Sequence, residues 1–213
     1  MIHTLMKLSL TALCFSAGAA ALATEIERDL HRGPAPQWAT LRSIDYAGSG
    51  CPAGSVQLGI PVSGDLSLIF DGSLRAAAAP ALPFTERRKN CQLTIDLDHA
   101  DGWQYAVESA ALQGYAALES RTSGTAKASF YFQGQPATAV VEGTLYGPTY
   151  RSVSIFDDLS SHTVWSPCNA RRALNMNLQV RVHTAGEDAR ASMTLGGRAA
   201  PASVVALKWR RCH

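Results

Sequence analysis

Leu174-Asn175-Met176-Asn177-Leu178-Gln179-Val180-Arg181-Val182-His183 alternates apolar and polar side chains without a break. In a strand, successive side chains point to opposite faces. Leu174, Met176, Leu178, Val180 and Val182 therefore share one face, and Asn175, Asn177, Gln179, Arg181 and His183 share the other. A helix would scatter the apolar set around its axis. The stretch predicts a strand with one buried and one wet face, as antiparallel sheets carry.

The same two-residue period recurs outward from it. Leu66–Phe70, Cys91–Leu97, Trp103–Leu112, Ala126–Phe132, Thr138–Leu145 and Val204–Cys212 all read as short strands between turn signals. The turn residues Asp98-His99-Ala100-Asp101-Gly102 predict a hairpin between the second and third of these. Ala76–Leu82 is alanine-rich but interrupted by Pro80, with Pro83 beyond, and reads as a loop or a single turn. Helical periodicity is nearly absent. The expected fold is all-β: an antiparallel, jelly-roll-like β-sandwich.

The chain opens with MIHTLMKLSLTALCFSAGAAALA, in which one cation (Lys7) precedes an apolar run and the small-residue ending Ala21-Leu22-Ala23. This is the pattern of a signal peptide over 1–23. Residues 24–43 are polar and mixed and read as a flexible N-terminal arm, and 44–213 as a single β-sandwich domain. No later stretch is long and apolar enough for a membrane helix. The expected location is outside the cell, or the periplasm.

Export decides how the cysteines are read. Without Cys14, which lies in the leader, Cys51, Cys91, Cys168 and Cys212 remain. An even number in an oxidising compartment predicts two disulfides. Three connectivities are open. The pairing Cys51–Cys91 with Cys168–Cys212 is preferred because it staples each half locally, for roughly 4 kcal/mol per loop in the chain-entropy model. Zinc fails on spacing, since no two cysteines lie close in sequence.

The leader holds one of the 19 Lys and Arg and none of the 17 Asp and Glu, so the mature charge is near balance. That gives no reason to expect nucleic acid.

The glycine-rich stretch YAGSGCPAG (Tyr46–Gly54) is neither a dinucleotide fingerprint nor a P-loop. Its third glycine is one residue late, no helix follows, and the lysine is missing. It reads as a sharp corner held by Cys51, with glycines supplying angles that a Cβ forbids.

GSGCPAGSV (Gly48–Val56), RKNCQLTIDL (Arg88–Leu97), GWQ (Gly102–Gln104), GY (Gly114-Tyr115), YGP (Tyr146–Pro148), WSPC (Trp165–Cys168), LNMN (Leu174–Asn177) and LKWRRC (Leu207–Cys212) follow in this order. In that order they resemble the secreted family called domain of unknown function 4360, from about Ile44 to Cys212. The resemblance implies an extracellular protein whose four cysteines belong to the family pattern. It implies no activity.

The residues themselves bear on four chemistries. No G-x-S-x-G elbow marks a serine nucleophile, and His31, His99, His162, His183 and His213 are scattered. Asp96, Asp98 and Asp101 suggest a calcium loop, but the spacing is one residue off and no closing glutamate follows. A turn explains them better, and no other cofactor is expected. A glycosidase needs two facing carboxylates; Asp96, Glu108 and Glu142 are candidates without a marked spacing.

Binding is the fourth. Asn175, Asn177, Gln179, Arg181 and His183 would line about 27 Å of one strand with groups suited to sugar hydroxyls. Trp103, Tyr115, Tyr131 and Trp165 can add aromatic area. The expected function is a non-catalytic extracellular recognition module for a glycan or cell-surface component. The alternatives are an extracellular glycoside hydrolase and a structural or interaction protein with no small ligand. Oligomeric state is left open.

Overall fold

The computed structural model describes residues 39–212 apart from 62, 169, 187, 198 and 199. All of these lie in a compact unit running from Pro34 to His213. The expected leader and most of the expected arm lie outside the described residues.

Two antiparallel sheets form a sandwich. With strands numbered in chain order, the first sheet is β1 (Thr40–Ala47), β5 (Arg88–Asp98), β10 (Leu174–Thr184), β7 (Thr122–Phe132) and β8 (Ala139–Tyr146), side by side in that order. The second runs β2 (Val56–Gly59), β3 (Leu66–Phe70), β12 (Ser203–Arg211), β6 (Trp103–Leu118), β11 (Ala191–Leu195) and β4 (Arg75–Ala78), with β9 (Thr149–Asp158) also on β6.

The alternating stretch becomes β10, the middle strand of the first sheet. Leu174, Met176, Leu178, Val180 and Val182 are all buried. They join Leu93, Ile95, Phe130 and Phe132 from their own sheet, and Tyr105, Leu112, Leu118, Val205 and Trp209 from the other, in one core. Each such side chain contributes about 1.5–3 kcal/mol on burial.

β6 organises the second sheet. β9 pairs with it over Ser109–Leu118. β12 pairs over Trp103–Ala111 and β11 over Gly114–Leu118. Since β9 fills one edge of β6 there, β12 and β11 share the other edge end to end. A register slip against β12 between Ala206 and Leu207 changes the phase of β6. Tyr105 and Val107 point inward before it, and Ala110, Leu112 and Leu118 after it. A bulge of this kind re-aims every later side chain.

Three local expectations change. Cys91–Leu97 and Trp103–Leu112 do not form a hairpin: β5 belongs to the first sheet and β6 to the second. Gly102, at φ 77°, turns the chain between sheets instead. Within Ala76–Leu82, residues 76–78 belong to β4, paired with β11. Alanine's low strand propensity is overridden by a slot that accepts only small buried side chains, with Ala76 fully covered. β1 begins at Thr40, so 40–43 belong to the sheet and not to the arm.

The corner at Tyr46–Gly54 is built as its residues suggest. Gly50 N–H donates to the Asn90 carbonyl at 2.9 Å, and Gly54 N–H to the Tyr46 hydroxyl at 2.7 Å. Gly48 has φ 154°, and a Cβ there would overlap the Asn90 carbonyl oxygen. Cys51 is bonded to Cys91, and Cys168 to Cys212, the local pairing.

Candidate functional site

The sandwich has two outward faces, and they differ in chemistry. On the first sheet, cross-strand register places Asn175 beside Thr94 and Tyr131, Asn177 beside Gln92 and Ser129, Gln179 beside Asn90 and Lys127, and Arg181 beside Arg88 and Thr125. His183 continues the row beside Ser123. The expected polar row is therefore one continuous surface, with Tyr131 next to it.

Many of its polar groups bond to one another. Thr94 Oγ1 donates to Asn175 Oδ1 at 3.0 Å. Gln92 Nε2 donates to the Tyr131 hydroxyl at 3.0 Å, reaching across β10. Thr125 and Thr144 share a 2.8 Å hydroxyl bond. Glu142 takes Lys127 at 3.1 Å and Arg181 at 3.4 Å.

The outer face of the second sheet is built differently. Along β6 the outward positions include Ala106, Ser109, Ala111, Gln113, Tyr115 and Ala117, a lane of mostly small side chains. From Ala106 to Ala117 it spans about 35 Å. Phe156 stands beside Ala111, and Tyr150 beside Ala117, both on the edge strand β9. They are 64% and 61% exposed, and Tyr115, diagonal to Tyr150, is 45% exposed.

At one end, Arg75, Ala77, Ala117, Tyr150, Arg190 and Ser192 line an open groove of about 540 Å³. At the other, Trp165 bridges to Ala106 as a continuation of the β9 edge. The Ala106 methyl is small enough for Arg210 to lie over the Trp165 ring at 4.0 Å, with Lys208 Nζ at 5.6 Å. Arg210 Nε also donates to Gln104 Oε1 at 2.7 Å.

Trp103 is not part of the polar row. It starts β6 in the second sheet, packs against the core and carries the Arg211 guanidinium at 4.7 Å. Tyr150 and Phe156 lie on β9, a strand outside those expected from the sequence. Its signal was present, since Val153 and Ile155 are buried between outward Tyr150, Ser152, Ser154 and Phe156.

The carboxylates do not converge. Asp98 pairs with Arg171 at 2.7 Å, Asp101 lies 3.9 Å from the same guanidinium, and Asp96 faces Arg42 at 3.8 Å. Arg171 supplies the positive charge between two of the three candidate calcium ligands. Among the described residues no group of three or more His, Cys, Asp or Glu side chains is arranged to hold a metal. Asp96 and Glu142 lie on strands three places apart, about 14 Å at least and beyond the roughly 5–9.5 Å of a glycosidase pair. Glu108 is in the other sheet, at the bulge. The Ser161 hydroxyl contacts His162 Nδ1 at 2.9 Å on an exposed turn, with no carboxylate on that ring among the described residues.

Among the described residues two ionisable groups are shifted. Asp158, at the end of β9, is held below the usual carboxylate range, mainly by hydrogen bonds from Ser160 and last by the field of Lys208. Tyr105 is pushed well above the usual tyrosine range by burial, and secondarily by the charge of Asp96. Its ring packs on Trp209 at 5.0 Å and Phe132 at 5.1 Å. Neither its hydroxyl nor Trp209 Nε1 has a hydrogen-bond partner among the described residues.

A secreted protein of the fungus Arthroderma benhamiae, itself called uncharacterized, is 37% identical over 184 residues, covering 84% of this chain and 74% of its own. Like that relative, this chain is secreted. No helix among the described residues is long and apolar enough to cross a membrane. Two solved structures share a weaker likeness. TmCBM61 in complex with β-1,4-galactotriose is 9% identical, with 84% of this chain and 95% of that one covered, at a TM-score of 0.27. The enzymatically active domain of tailspike protein 4 from bacteriophage CBA120 is 13% identical, with 84% and 21% covered, at 0.21. Scores that low carry no inference about ligand. The family model described as domain of unknown function (DUF4360) matches residues 37–212, and the chain belongs to that family.

Proposed function

We propose that this protein is a non-catalytic extracellular recognition module that lays the outer face of its second sheet against a glycan chain. The observation that carries this reading is the lane along β6. Exposed Tyr115, Tyr150 and Phe156 flank a floor of alanine, serine and glutamine side chains. A sugar ring presents an apolar face that packs on an aromatic ring and hydroxyls that need donors and acceptors. Ser152, Ser154, Ser192 and Thr194 stand at outward positions beside the lane. Small floor residues leave the depth that a ring needs.

The polar row on β10 is the less favoured surface for this role. Asn175, Tyr131 and Arg181 already hold protein partners, and a ligand would have to displace them at the cost of those bonds.

Incubating the purified protein with insoluble and soluble polysaccharides tests the reading. Retention on a polysaccharide with no release of reducing ends supports it. Released reducing ends favour a hydrolase. No retention on any glycan leaves an interaction protein without a sugar ligand.

A further inference from the structure

Resting on that reading, we propose that the glycan taken by the β6 lane is anionic, a linear polysaccharide carrying carboxylate or sulfate groups. Both ends of the lane are cationic. Arg75 and Arg190 border the groove that holds Tyr150, and Lys208 and Arg210 gather over Trp165 at the far end.

The ion pairs found among the described residues involve Arg42, Lys89, Lys127, Arg171 and Arg181. None involves the four lane cations. Acids share the face as well: Glu119 lines the same groove as Arg75 and Arg190, and Asp158 lies in the field of Lys208, so two cations stand against one of these carboxylates at each end. Glu119 accepts Arg190 N–H at 2.8 Å, and Asp158 accepts Ser160 N–H at 2.8 Å.

An arginine whose fork no carboxylate among the described residues closes remains able to take a ligand's carboxylate or sulfate in two parallel bonds. Cations at both ends of a lane about 35 Å long suit a repeating polyanion better than a single charged sugar.

Affinity electrophoresis of the mature protein through gels containing polygalacturonate, a neutral β-1,3-glucan or single-stranded polynucleotide separates the outcomes. The proposal predicts retardation by polygalacturonate at least about tenfold stronger than by the glucan, falling as salt rises. The double variant Arg75→Ser/Arg190→Ser should drop to the glucan level. Arg75→Lys/Arg190→Lys should keep part of the preference, and a first-face control, Lys127→Ser, should keep all of it. A circular-dichroism melt confirms that each variant folds. Equal, salt-independent retardation by the glucan overturns the anionic ligand and leaves glycan recognition standing. Equal retardation by polynucleotide overturns the polysaccharide in favour of a general polyanion surface. No retardation by either polysaccharide overturns the recognition reading itself.

Discussion

The two outer faces are made by the same device, a strand with one wet side, yet they spend their polar groups differently. On the first sheet, Glu142 gathers Lys127 and Arg181, Thr94 holds Asn175, and Gln92 reaches Tyr131. On the second, Tyr115, Tyr150 and Phe156 are left exposed around small residues, with Arg75, Arg190, Lys208 and Arg210 beside them. A wet face that closes on itself serves solubility. On the second face Lys208 donates to Thr163, Arg210 to Gln104 and Gln113 to Ser154, but the cations enter no ion pair among the described residues and the aromatic area stays exposed, a cost that a partner repays.

The largest expected effect divides the faces by function. Tyr115→Ala/Tyr150→Ala should weaken polysaccharide retention about tenfold or more, the ~1.4 kcal/mol or more of an anchoring aromatic. Asn177→Ala/Gln179→Ala should change it by less than about twofold, within the usual range for exposed polar positions. The reverse pattern would move the site to β10.

Next comes the interior that both faces cover. Because the folded-state value of Tyr105 is raised above the ordinary 10, the unfolded chain loses that proton first as pH rises. Stability from this group is complete below pH 10 and falls above it, by up to about 1.4 kcal/mol per pH unit. Urea melts between pH 9.5 and 11.5 should show a shallower loss in Tyr105→Phe. At neutral pH that variant should be at least as stable as the parent, since the hydroxyl it removes has no partner among the described residues. An unchanged slope would mean that Tyr105 is not the group responsible.

A smaller effect separates the charges. Glu142→Gln breaks two ion pairs on the first face and should cost about 1 kcal/mol or less. Arg75→Ser/Arg190→Ser on the second breaks none found among the described residues and should leave the stability within about 0.5 kcal/mol of the parent. The smallest effect concerns Asp96, Asp98 and Asp101. With Arg171 already between Asp98 and Asp101, melting with calcium and with chelator should coincide. A shift of several degrees would restore the calcium loop.

What was legible in the sequence was whatever alternates. β10 and β5 show their two faces directly, and export with four cysteines led to the two disulfides that form. What was hidden depended on which sheet a strand joins. The turn after Asp98 looks the same whether the chain doubles back or crosses to the other sheet. The bulge in β6 reverses the phase of every residue after it, so no single alternation describes Trp103 to Leu118. β4 is three alanines after an arginine, strand-like only because β11 pairs with it. The polar row was visible because it lies on one strand. The lane was not, because it is assembled from β6, β9, β11 and β12 together.

The most direct test is to map the ligand-contacting face by NMR, titrating labelled protein with polygalacturonate oligomers and following backbone amides. The account predicts shifts concentrated at Ala117, Tyr150, Ser152, Ser192 and Thr194, with Asn175 to Arg181 unmoved. Shifts concentrated along β10, with the β6 lane silent, would contradict it.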